Sequence, residues 1–252
     1  MTEKRRKKKR RVKVERLILL VLVLAVIVAA GVFLFGKLAG GKKAGGVVTV
    51  MLDNAHGGDQ SGYQGLISED EYNEHVTDEL AVLLENDPAF AVKRTHADGQ
   101  AMAVSTRVEV IDEAAPDIVL SVRCHNGDSP NFGTMLVFAD PPAHKKHRES
   151  ADLARMITSV YTDAGYSPAC GYYYYQPIKE GYFQEHLAPI DDETDYEQET
   201  WELMNAKAPV VIVSQINVNN EEECTEWNSE EGWKKAAGLY YDALKALYGK
   251  QE

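Results

Sequence analysis

Residues 47–53, VVTVMLD, form an apolar run rich in β-branched side chains, the pattern of a strand buried on both faces. The run stops at Asn54 and the glycine pair Gly57 and Gly58, so His56 lies just past a strand end. Compact apolar runs recur at 117–122 (DIVLSV) and 209–213 (PVVIV), and residues 90–94 and 133–138 predict two further strands. Between them, Tyr72, Val76, Leu80, Leu83 and Leu84 recur at helical spacing and predict a helix over 69–85, ended by Asn86, Asp87 and Pro88. Further helices are predicted over 106–114, 149–161 and 230–248, while the aromatic segment 170–177 reads as irregular. Strands alternating with helices predict a three-layer α/β fold, a largely parallel sheet flanked by helices. Sheets of that kind gather their ligand chemistry at the carboxyl ends of the strands.

The N-terminal region follows a different pattern. Residues 1–16 form a tail dominated by Lys and Arg, and residues 17–35 are uninterrupted apolar sequence, long enough at helical rise to cross a bilayer. The sequence therefore predicts a basic cytoplasmic tail (1–16), one transmembrane signal-anchor helix (17–36), a Gly/Lys linker (37–46) and a folded domain (47–252) on the extracytoplasmic side of the cell membrane. Cleavage as a signal peptide is the competing reading, because Ala29, Ala30 and Gly31 are small.

Charge sharpens this division. The chain carries a net charge of −12 although its tail is strongly basic, so the folded part is markedly acidic. An acidic body lacks the basic footprint that binding phosphate backbones requires, which excludes nucleic acid as the partner. Cys124, Cys170 and Cys224 are an odd set in a compartment that permits disulfides, and the sequence does not choose a pairing. Oligomeric state is equally open.

Three buried-type strands end near His56, His125 and Ser214, and Glu69 opens the first predicted helix. Two histidines and a carboxylate with one open position form a ligand set for a catalytic zinc, which makes hydroxide available at neutral pH. His56, Glu69 and His125 are accordingly the candidate metal ligands, and Zn2+ the candidate cofactor.

The same positions resemble the zinc-dependent N-acetylmuramoyl-L-alanine amidases, in a divergent form. The family's Asp-Pro-Gly-His-Gly-Gly is matched by LDNAHGG at Asp53, His56, Gly57 and Gly58, and its Glu-x-x-x-Asn by Glu69 and Asn73. Arg94-Thr95 answers loosely to the family's Thr-Arg, in reversed order, and Arg107, Pro116-Asp117 and Gly133 agree with later features of the family. The resemblance implies hydrolysis of the lactyl-L-alanine amide of peptidoglycan, with peptidoglycan as partner. Arg123, Asn126 and Tyr173 are the positions it suggests for contact with substrate.

Two departures stand out. The family's second histidine falls at Arg123, and a guanidinium cannot ligate zinc. His125, two residues on, replaces it only if the strand end shifts or bulges. The family's general-base glutamate falls at Ser214, followed by Gln215, and a hydroxyl of ordinary acidity does not take a proton from water. The alternative expectation is a catalytically impaired domain that binds peptidoglycan or a cell-wall partner without cutting it.

Overall fold

The computed structural model describes residues 46–126, 135–140, 142, 144–177, 183–189 and 202–249. The basic tail, the apolar run and most of the linker lie outside the described residues. Among those described, no helix is long and apolar enough to cross a membrane.

In chain order the elements are β1 (Val48–Asp53), α1 (Glu69–Glu85), β2 (Phe90–Arg94), α2 (Val104–Ala114), β3 (Ile118–His125), β4 (Leu136–Ala139) and α3 (His147–Asp163). Then come β5 (Ala169–Pro177), β6 (Phe183–Pro189), a 3-10 turn (Glu202–Asn205), β7 (Val210–Asn217), α4 (Glu221–Trp227) and α5 (Glu230–Tyr248). The strands form one seven-stranded sheet in the order β2-β1-β3-β7-β4-β5-β6. The first four of these are parallel, β4 runs antiparallel to β7, β5 is parallel to β4, and β6 is antiparallel to β5. The sheet is thus mixed, with its parallel half built from the three apolar runs.

Period-two alternation divides the strands between two cores. Val50, Leu52, Leu120, Val122, Val211 and Val213 face α1, α3 and α5 on one side. Met51, Val119, Val210 and Ile212 face α2 and the 3-10 turn on the other. α1 presents Tyr72, Val76, Leu80 and Leu84 to the first core, and Glu69, Asp70 and Glu71 in its first turn complement the helix dipole.

The structure departs from the sequence expectations at several places. β3 continues to His125 and β7 to Asn217, because the two strands pair with each other past the end of their apolar runs. Residues 170–177 lie in a strand rather than an irregular segment, with Tyr173 opposite Leu187 of β6. Four consecutive tyrosines show no alternation, so only the pairing with β4 and β6 defines that strand. The short helix α4 was not predicted. Its start is signalled by Asn220, whose side chain accepts from the Glu223 backbone N–H, followed by three glutamates in the first turn.

Leu120 is fully buried in the central strand β3. Leu120→Ala is expected to cost about 2–5 kcal/mol, read as a lower urea midpoint with an unchanged slope; a change below about 0.5 kcal/mol would contradict this packing.

Candidate functional site

β1, β3 and β7 are neighbours in the sheet and all end at the same edge, where the predicted residues gather. The deepest of them is Asp53, the last residue of β1 and fully buried. Arg107 of α2 donates to both carboxylate oxygens at 2.8 Å, Ser121 of β3 to Oδ2 at 2.6 Å, and Thr95, just past β2, to Oδ1 at 2.8 Å. Burial by itself raises the Asp53 carboxyl, but the Arg107 and Arg123 charges and the Ser121 hydrogen bond outweigh it and hold the group below its usual range. Asp53 is therefore a structural anion, and it fixes where β1 ends.

The chain then turns sharply. Ala55 takes a left-handed conformation at φ 58°, strained for a residue with a Cβ, and His56 emerges beyond it. His56 Nε2 lies 3.6 Å from Glu69 Oε2. Burial lowers the His56 pKa, and although Glu69 opposes this, the Arg123 and Arg107 charges add to the lowering, so the imidazole is neutral near pH 7. Glu69, only 1% exposed, receives the Cys124 backbone N–H on Oε1 at 2.9 Å and the Tyr63 backbone N–H on Oε2 at 2.8 Å.

The Tyr63 contact comes from the β1–α1 loop, which passes directly over this pair. Gly62, at φ +67°, packs so closely on Glu69 Oε2 and the His56 ring that a Cβ would have no room. The same loop reaches the end of β7, where the Leu66 N–H donates to the Val218 carbonyl at 2.8 Å.

Arg123 and Ser214 are direct cross-strand partners. The Arg123 Nε donates to Ser121 Oγ at 3.3 Å, which ties the guanidinium to the Asp53 cluster. Immediately beyond, the register shifts: one residue of β3, Cys124, faces two of β7, Gln215 and Ile216. This is the bulge on which a ligand role for His125 depended, but it turns His125 toward β7, where its Nδ1 lies 2.9 Å from Ser214 Oγ. Among the described residues no three His, Cys, Asp or Glu side chains converge to hold a metal ion. Of the expected set His56, Glu69 and His125, the first two are paired and the third contacts Ser214, so the donors among the described residues do not complete a zinc site.

The remaining candidates separate. Gln215 turns away from Ser214 into the first core, where its Oε1 accepts from the Tyr161 hydroxyl at 3.2 Å and from the Tyr240 hydroxyl. Alternation from Val211 and Val213 already places it on the face covered by α3 and α5. Asn126 is exposed, its Oδ1 accepting from Asn219 Nδ2 at 2.5 Å. The Tyr173 side chain lies outside the described residues. Cys124 is buried and its thiol pushed well up by burial. Ser121, which completes the anchor, escaped the sequence reading, and Thr95 entered it only as part of the Arg94-Thr95 match, since small hydroxyl residues do not show their partners until their neighbours are known.

The family model described as N-acetylmuramoyl-L-alanine amidase matches residues 50–246. No curated protein matches the sequence. Similar solved structures include the catalytic domain of CwlV, an N-acetylmuramoyl-L-alanine amidase from Bacillus (Paenibacillus) polymyxa (TM-score 0.61, 14% identity, covering 80% of this chain and 98% of that one). The N-acetylmuramyl-L-alanine amidase Ami1 from Mycobacterium smegmatis (TM-score 0.61, 16% identity, 81% and 98% covered) is another. A third is the CwlD amidase from Clostridioides difficile, solved in complex with the GerS lipoprotein (TM-score 0.59, 18% identity, 79% and 97% covered).

Removing the counter-ion of Asp53 tests the anchor. Arg107→Met is expected to cost about 3–5 kcal/mol at pH 7, because it strands a buried carboxylate. A lowered folded pKa means that Asp53 contributes in full above the unfolded carboxyl value of about 3.9 and loses that contribution as pH falls through the folded value. Wild type should therefore resist acid to below about pH 4, whereas Arg107→Met begins to unfold at higher pH; identical acid titrations by circular dichroism would refute this.

Proposed function

Because the chain belongs to the N-acetylmuramoyl-L-alanine amidase family, we propose that it is a cell-wall protein whose domain takes the lactyl-L-alanine amide of peptidoglycan to the strand edge around His56. The observation that carries this reading is the retained pair of His56 and Glu69, set 3.6 Å apart where β1 meets α1. A basic tail followed by an apolar run supports anchoring at the cell membrane, with the domain outside.

Hydrolysis needs a group that accepts a proton from the attacking water. Ser214 is only 4% exposed and of ordinary hydroxyl chemistry, so the hydrolytic reading assigns that proton to His125, in contact with Ser214 Oγ at 2.9 Å. A second reading, binding without cleavage, is motivated by Arg123 and Ser214, the two positions that depart from the family's chemistry and are direct partners across the strands. In that reading the fold is retained for recognition.

The test is incubation of the full-length chain with purified sacculi. Sedimentation with the sacculi is expected, weakened about tenfold, or about 1.4 kcal/mol, by His56→Ala. New alanine amino ends would mark the hydrolytic reading, in which His125→Ala lowers their release by about 10²–10⁴-fold. Sedimentation without new ends would mark the binding reading. A chain that neither sediments nor releases ends removes both. Labelling of Lys residues in the domain by a reagent that does not cross membranes checks the anchoring, and protection of the domain in intact cells would count against it.

A further inference from the structure

The pair of His56 and Glu69 adjoins a cation that the chain itself supplies. Arg123 is half-buried on β3, held by Ser121, and its charge acts on His56, Glu69 and Asp53 together. A divalent ion at His56 and Glu69 would lie in the field of that guanidinium, and among the described residues the arginine holds the place at which the family resemblance puts the third ligand. Glu69 is held in place by a backbone N–H on each of its oxygens, with the Gly62 backbone closed over it and over the His56 ring.

The charges balance without a metal. Across the cluster two guanidinium groups face two carboxylates: Arg107 contacts Asp53 at 2.8 Å, and the charge of Arg123 is opposed first by Asp53 and then by Glu69, whose Oε1 accepts the backbone N–H of the next residue, Cys124. A zinc amidase site of the kind the sequence resembles would set a dication against two carboxylates, one a ligand and one the base. Replacing the dication by a guanidinium removes one positive charge, and serine in place of the base removes one negative charge. These two changes fall on residues that are partners across one pair of strands, Arg123 and Ser214. Together the two changes leave the net charge of the site unaltered.

We propose that the guanidinium of Arg123 stands in the place of the family's zinc ion, so that this site is neutralised and held together by the chain's own side chains and takes up no metal. The site then folds, and receives its ligand, by hydrogen bonding alone. The first claim is independent of the peptidoglycan reading; only the second rests on it.

The experiment measures metal on the full-length chain purified without chelator, by plasma mass spectrometry and by calorimetric titration with zinc chloride. Wild type is expected to carry no stoichiometric zinc, and its thermal midpoint to be unmoved by zinc or chelator. Arg123→His should bind one equivalent about 100-fold or more tightly than wild type, with a midpoint that rises on adding zinc. Adding His56→Ala to that variant should abolish both effects. One equivalent of zinc in wild type, lost in His56→Ala, overturns the proposal, as does a folded Arg123→His that takes no zinc. Should Arg123→His fail to fold, the wild-type titration and its His56→Ala control decide alone, zinc-free wild type supporting the proposal. Sacculus sedimentation in chelator separates the two readings. A zinc-free chain that does not sediment leaves the arginine proposal standing and removes the peptidoglycan one, and a zinc-loaded chain that sediments does the reverse.

Discussion

The buried ion pair between Asp53 and Arg107 is the constraint around which the site is assembled. Asp53 ends β1, Arg107 comes from α2, Ser121 from β3 and Thr95 from the end of β2, so one carboxylate joins four consecutive parts of the chain. A buried carboxylate with four donated hydrogen bonds has little freedom, and leaving any of them unmade is costly. That rigidity is transmitted to the next three residues. The turn through Ala55 accepts a left-handed backbone, and His56 is delivered beside Glu69 rather than into solvent.

A second constraint acts on the far side of the site. β3 and β7 pair in register up to Arg123 and Ser214 and then slip by one residue. The slip brings His125 back to Ser214, the partner of Arg123, while Gln215, on the same face as Val211 and Val213, enters the core and satisfies its carbonyl on Tyr161 and Tyr240. Amide and hydroxyl partners in that core make Gln215 a structural residue, since burying its polar end unpaired would be unfavourable. The β1–α1 loop then joins the two sides, bonding Glu69 through Tyr63 and the end of β7 through Leu66. What results is a site in which every acidic side chain at the centre already has donors. Backbone and side-chain donors thus close on both Asp53 and Glu69.

The sequence alone determined the parallel half of the sheet, the long helices and the pair of His56 and Glu69. Those are local matters: apolar runs of strand length, helical spacing from Tyr72 to Leu84, and a motif that ends one element and opens the next. Membership of the amidase family was legible for the same reason, as was the mismatch at Arg123 and Ser214. Pairing between distant segments was not legible. The strand through Tyr172–Tyr175 has no alternation of its own and exists through its neighbours β4 and β6. Likewise the roles of Thr95 and Ser121 depend on Asp53, 42 and 68 residues away in the chain. Whether His125 would replace a lost ligand turned on a register shift between two strands about 90 residues apart. Bulges arise from pairing rather than from either strand's pattern, so only the tertiary structure sends His125 to Ser214 and leaves Arg123 beside the pair of His56 and Glu69.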